Sequence, residues 1–79
     1  MRAYRNSGGN SGIAEYEYDD EKILVKFDDK MVYEYRRDAI GDSNFTEMVR
    51  LANSGQGLNG FIMRNGSIKF RYSNKHRDW

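Results

Sequence analysis

Two groups of side chains in this sequence have types and spacings suited to binding chemistry. The first is basic and aromatic: Arg64, Lys69, Arg71, Tyr72, Lys75 and Arg77. Cationic side chains neutralise phosphates and aromatic rings stack on bases, so this set is the candidate for nucleic-acid contact. The same residues also read as a basic edge strand that resists aggregation. Tyr33 and Tyr35 are a candidate stacking pair for unpaired bases, as in sheet-based RNA binders. Their other reading is an aromatic pair that stabilises a sheet. The second group is acidic: Glu15, Glu17, Asp19, Asp20, Asp28 and Asp29. An acidic hairpin edge can imitate phosphates toward a basic protein surface. It can equally be a pair of solvated turns, because Asp is a favoured turn residue.

Signals for catalysis are nearly absent. Nucleophilic catalysis needs a base held rigidly beside its nucleophile. The one histidine, His76, stands between Lys75 and Arg77 in a terminal segment and reads as a surface residue. There is no cysteine, which rules out disulfides and cysteine-type zinc sites. Asp19-Asp20-Glu21 and Asp28-Asp29 lack the spacing of a calcium loop. Gly55-x-Gly57-x-x-Gly60 matches the glycine pattern of dinucleotide sites, but it follows a helical pattern instead of a strand. It reads as a helix-to-helix turn, with phosphate on backbone N–H groups as the minor alternative. The expectation is a chain with no catalytic residues, no cofactor and no metal.

Length and composition agree with that. A chain of 79 residues has room for one core, since domains this small bury only about 60% of their unfolded surface. Aromatics at 14% argue against disorder. No apolar run approaches the roughly 18 residues of a membrane span, and the start shows no apolar signal core. Absent cysteine fits a reducing compartment, and the reading is a soluble cytoplasmic domain. Net charge is +1 but unevenly spread. Residues 13–30 carry seven acids and three bases, whereas residues 51–79 carry five bases and one acid. That split suggests two oppositely charged regions.

The elements that position these groups follow from periodicity. Residues 1–12 read as a flexible lead-in, because 6–12 are Gly, Ser and Asn. Ile13–Asp19 alternates, with Ala14, Tyr16 and Tyr18 on one side, which predicts a strand. Ile23–Phe27 is a second strand, with Ile23, Val25 and Phe27 on one face. Met31–Arg36 is a third, with Met31, Tyr33 and Tyr35 together. Loops this short allow only an antiparallel meander. Phe45, Met48, Val49 and Ala52 then fall at helical spacing. Ser43 or Asn44 is a candidate cap, Glu47 completes a capping box, and Gly55 is a stop. A second short helix is predicted over Gly57–Arg64. Ser67–Tyr72 alternates again and predicts a fourth strand. Residues 73–79 read as a mobile tail unless Trp79 docks.

The order of these motifs resembles the KTSC domain family, named for the C-terminal domain of some lysyl-tRNA synthetases. Tyr33-Glu34-Tyr35 looks like that family's central Tyr-x-Tyr. Tyr18-Asp19 with Leu24-x-x-Phe27 is similar to its Tyr-Asp and Leu-x-Val-x-Phe run. Phe45, Ala52-Asn53-Ser54-Gly55, Leu58-Asn59 and Ile62 look like its helix, Ser-x-Gly turn and Asn-containing end. The resemblance covers about residues 13–62. It departs at Asp29-Lys30, where a Gly is expected, and at Ala39-Ile40-Gly41, where Val-Pro often stands. The family includes lone bacterial and phage-type proteins, and RNA binding is the function usually suggested for it.

The combined expectation is an α+β domain, a three- to four-stranded antiparallel meander packed by one or two short helices. Its function is non-enzymatic binding, of RNA through the basic C-terminal residues. The alternative is a small phage-type inhibitor or adaptor, such as an anti-CRISPR, that binds a host protein through the acidic hairpins. Oligomeric state and partner identity stay open.

Overall fold

The structure is a computed structural model that describes residues 1–6, 12–69 and 71–77. Its order is β1 (Arg2–Ala3), β2 (Ile13–Tyr18), β3 (Lys22–Phe27), β4 (Met31–Arg36), α1 (Arg37–Ile40), α2 (Asp42–Ser54), α3 (Leu58–Arg64), α4 (Gly66–Lys69) and β5 (Asn74–Arg77). The five strands form one antiparallel sheet in the order β1-β2-β3-β4-β5. The class is therefore α+β, with more strands than the sequence pattern predicts. Among the described residues no helix is long and apolar enough to cross a membrane.

The central hairpins form where expected. Asp19 stabilises the β2–β3 turn by accepting the N–H groups of Glu21 (2.8 Å) and Lys22 (3.1 Å). Those bonds, that from Glu21 first, hold its carboxyl below the usual carboxylate range. Asp29 stabilises the β3–β4 turn, its Oδ1 accepting from the Met31 N–H at 3.0 Å, while Lys30 takes a positive φ. Both turns are Asx-type devices.

One face of the sheet packs on the helices. Ile23, Val25 and Tyr35 meet Phe45, Met48, Ala52, Leu58, Ile62 and Ile68 in a core cluster, with Phe27, Tyr33, Val49 and Phe61 packed against its edge. The predicted alternation of β2 fails at its start. The register shifts between Ile13 and Glu15, so a bulge at Ala14 turns both Ile13 and Tyr16 into the core.

The helical region differs in two respects. A single turn, α1, precedes α2, and the predicted capping box does not form. Gly41 occupies the α2 N-cap without a side-chain cap bond, and Asn44 instead donates from Nδ2 to the Ile40 carbonyl at 2.9 Å. Gly55 ends α2 as expected. Its φ of 80° aims its N–H at the Leu51 and Ala52 carbonyls, a left-handed cap that favours glycine.

The ends depart most from the sequence reading. The lead-in is partly a strand: Arg2 and Ala3 pair with Tyr16 and Glu15, and Tyr4 is buried. Residues 7–11 of the predicted loop lie outside the described residues. The predicted strand Ser67–Tyr72 is a helical turn up to Lys69. Ile68 is fully buried there, its N–H bonded to the Asn65 carbonyl and its carbonyl to the Arg71 N–H. An apolar residue that must plug a core takes whichever backbone reaches it, and alternation over six residues is too short to prevent that. Phe70 of that predicted strand lies outside the described residues. The fifth strand falls instead in the predicted tail, where Asn74–Arg77 pairs with β4. Trp79 also lies outside the described residues.

Candidate nucleic-acid interface

β5 is an edge strand, and its register determines which side chains join the helix-facing side of the sheet. Lys75 lies opposite Tyr33 and Arg77 opposite Met31. Tyr33 in turn lies opposite the fully buried Val25. Lys75 and Arg77 therefore flank the aromatic end of the core, while His76 lies on the other face opposite Val32.

Four rings gather at this end. Phe27 and Tyr72 both meet Tyr33 edge-on, with centroids at 5.5 and 5.0 Å and planes at 78° and 90°. Tyr35 stacks beside Tyr33 at 6.4 Å. These are the preferred geometries of aromatic quadrupoles. The Lys75 ammonium sits 5.2 Å from the Tyr33 centroid, a cation–π contact. Hydrogen bonding to the Tyr33 phenol, the largest cause, raises Lys75 above its ordinary value. The rings open onto a cavity of about 320 Å³ lined by Phe27, Asp29, Tyr33, Tyr35, Ile62, Met63 and Tyr72. Tyr72 and Met63 are exposed there, at 38% and 47%.

The predicted basic group divides accordingly. Tyr72 and Lys75 come together on Tyr33, and Arg77 lies two residues further along β5, opposite Met31. Arg71 is exposed and adjoins Tyr72 in the chain, and Arg64 is exposed at the end of α3, next to Met63. Lys69 ends α4, and its side chain lies outside the described residues. Of the stacking pair, Tyr33 is half-buried at the cavity. Tyr35 is only 2% exposed, so its ring belongs to the core and has no open face for a base. Burial first, then the neighbouring Tyr33 and Tyr72, push its phenol well above the ordinary tyrosine range.

The acidic residues do not form one surface. Asp19 and Asp20 lie at the β2–β3 turn, and Asp28 and Asp29 at the opposite end of β3. Glu15 and Glu17 lie on the sheet face away from the helices, paired with Lys26 at 3.6 Å and with the N-terminal amine at 3.5 Å. Asp19 pairs with Lys22 at 3.7 Å. A groove at the Asp19 end mixes Asp20, Glu21, Asp38 and Asp42 with Arg36 and Arg37, and Arg36 is 3.4 Å from Glu21 and 3.5 Å from Asp38. Asp29 instead joins the aromatic cavity.

At the glycine-rich turn the first backbone N–H of α3 is already engaged. The Leu58 N–H, which opens α3, is donated to the Tyr4 hydroxyl at 3.2 Å, and Gly57 with φ 86° turns the chain into that helix. Among the described residues no group of three or more His, Cys, Asp or Glu is placed to hold a metal ion.

Sequence reasoning missed Phe27, Ile62 and Met63 as lining residues. Met63 carries a signal, since it is an apolar residue off the Leu58–Ile62 helical stripe. Also missed was Asn53, whose side chain accepts from the Tyr16 hydroxyl (2.8 Å) and donates to the Tyr18 hydroxyl (3.2 Å). Its only sequence signal is an amide inside a helix, where Asn is a poor helix former.

No family model matches this chain, and neither does a curated protein or a solved structure.

Proposed function

We propose that this chain is a non-enzymatic module that binds single-stranded RNA along β5 and the segment before it. The observation that carries the reading is the meeting of Tyr72 and Lys75 on Tyr33 at the mouth of the aromatic cavity. A cation beside an accessible ring is what unpaired nucleic acid requires: the ammonium neutralises a phosphate and the ring stacks a base. Arg77 extends the cationic line on the same strand face, and Arg71 and Arg64 add charge at either side. The net charge of +1 does not oppose this, because binding responds to the local field of a basic face more than to the total. The resemblance to the KTSC family, for which RNA binding is the usual suggestion, points the same way.

The test is anisotropy of labelled single-stranded RNA, duplex RNA and single-stranded DNA at low and moderate salt. The expected result is salt-sensitive binding that favours single strands and is abolished in Lys75→Glu/Arg77→Glu. That double variant should keep the wild-type circular dichroism and a cooperative thermal transition, since both side chains are exposed. Absence of binding at low salt would overturn the reading.

A further inference from the structure

We infer that the aromatic cavity is a pocket for one unpaired base and that Asp29 biases it toward guanine. This rests on the RNA-binding reading above. The cavity, at about 320 Å³, lies at the small end of the ligand-pocket range of roughly 300–1,000 Å³. Its lining includes the rings of Phe27, Tyr33 and Tyr72 and the apolar Ile62 and Met63 of α3. Such a lining suits a flat π-system, and a thioether packs well against an aromatic ring.

Among the described residues, the one charged group in the lining is Asp29. An ionised carboxylate only accepts hydrogen bonds, and it has room for about four. The Met31 N–H holds Oδ1 at 3.0 Å, which fixes the orientation of the carboxylate at the turn. A fixed acceptor selects the base edge with the most donors. Guanine presents N1–H and the N2 amino group side by side on its Watson–Crick edge, a two-donor fork for a two-oxygen acceptor. Cytosine and adenine place a ring-nitrogen acceptor beside their amino group, and that lone pair faces the carboxylate unfavourably. Uracil has one N–H between two carbonyl oxygens. Guanine is therefore favoured and uracil least so, while Lys75 beside Tyr33 is positioned to offset the phosphate that accompanies the base.

The experiment uses the full chain and two short single-stranded RNAs of adenine and cytosine, identical except for one central guanine or uracil, at fixed low salt. The guanine oligomer should bind about tenfold more tightly, a typical discrimination for a two-bond base contact. Asp29→Asn keeps an acceptor for the Met31 N–H but replaces one carboxylate oxygen with a donor. It should bring the two oligomers to equal affinity, with the guanine oligomer weakened and the uracil oligomer strengthened, because the amide donates to a uracil carbonyl and the pocket loses its negative charge. Equal binding by the wild type, or a guanine preference that survives Asp29→Asn, overturns the base pocket and leaves the RNA-binding reading standing. Failure of both oligomers to bind overturns that reading and the pocket with it.

Discussion

Tyr16-Glu17-Tyr18 and Tyr33-Glu34-Tyr35 are the same tripeptide on β2 and β4. β3 lies between them, with Val25 opposite both Tyr16 and Tyr33 and Ile23 opposite both Tyr18 and Tyr35. All four rings therefore point to the helix side of one sheet, yet their surroundings diverge. The first pair stacks at 6.3 Å and is closed by Asn53 of α2, which bonds both hydroxyls. Arg2 and Arg5 reach the same residue, at its side chain and its carbonyl. The second pair meets α3, which offers Ile62 and Met63 and no polar side chain in the cavity lining. It is left with rings, a cavity and Lys75. Identical strand segments thus become a structural clasp or a candidate binding site according to the single helix turn set against them.

The comparison breaks most severely at Val25, the residue between the two pairs. Val25 and Met48 are both fully buried. An Asp at either position leaves an unpaired buried charge, at a cost of about 3–5 kcal/mol, against a total stability of roughly 5–15 kcal/mol that small domains seldom exceed. At roughly 4–8 °C per kcal/mol for a domain this size, Val25→Asp should therefore lower the thermal midpoint seen by circular dichroism by about 12–40 °C, and Met48→Asp should do the same. An unchanged melting temperature in either would mean that the two tyrosine pairs do not share this floor.

Much of that floor is legible in the sequence, because β3, β4 and α2 are long enough for their periods to show. Ile23, Val25, Met48 and Ile62 are assigned to the core by spacing alone, and the structure buries them. What spacing cannot supply is the identity of short elements. Ala14 takes a bulge because Ile13 and Tyr16 both gain by burial, an outcome of tertiary packing that strict alternation does not encode. Ile68 is read as a strand residue and plugs the core from a helical turn. β5 lies in residues that carry no apolar alternation, since Asn74, Lys75, His76 and Arg77 pair through backbone on an edge, where charge is favoured over hydrophobicity. The basic residues of the candidate site are legible for the same reason that their strand is not. Asp29 was assigned to the opposite surface because a turn residue gives no hint of which cavity its loop adjoins.

A smaller effect sharpens the clasp itself. Asn53→Ala removes the acceptor of the Tyr16 hydroxyl and a donor to the Tyr18 hydroxyl. The part-buried phenols would lose their partners at a cost of about 1–3 kcal/mol. In a domain this size each kcal/mol shifts the melting temperature by roughly 4–8 °C, so calorimetry should show a drop of that order or somewhat more. RNA affinity measured well below the transition should not change. A loss of binding at full folding would mean that the closed pair, and not the open one, carries the contact.

The smallest effect concerns the open pair and reads its buried member. The Tyr35 phenol is held above its ordinary value by burial first and by Tyr33 and Tyr72 next. In the unfolded chain it ionises near pH 10, in the ordinary range for tyrosine. Above that pH the unfolded state binds fewer protons than the folded state at this residue, so stability falls as pH rises. The contribution is present in full below about pH 10 and is lost progressively above it, by up to about 1.4 kcal/mol per pH unit. Tyr35→Phe removes this one proton from the balance. Denaturant titrations between neutral and alkaline pH should show a steeper loss of stability in the wild type than in Tyr35→Phe, with the two converging in slope below pH 10. Parallel curves throughout would place the Tyr35 hydroxyl in water, and the floor of the cavity would then be open where the packing has it closed.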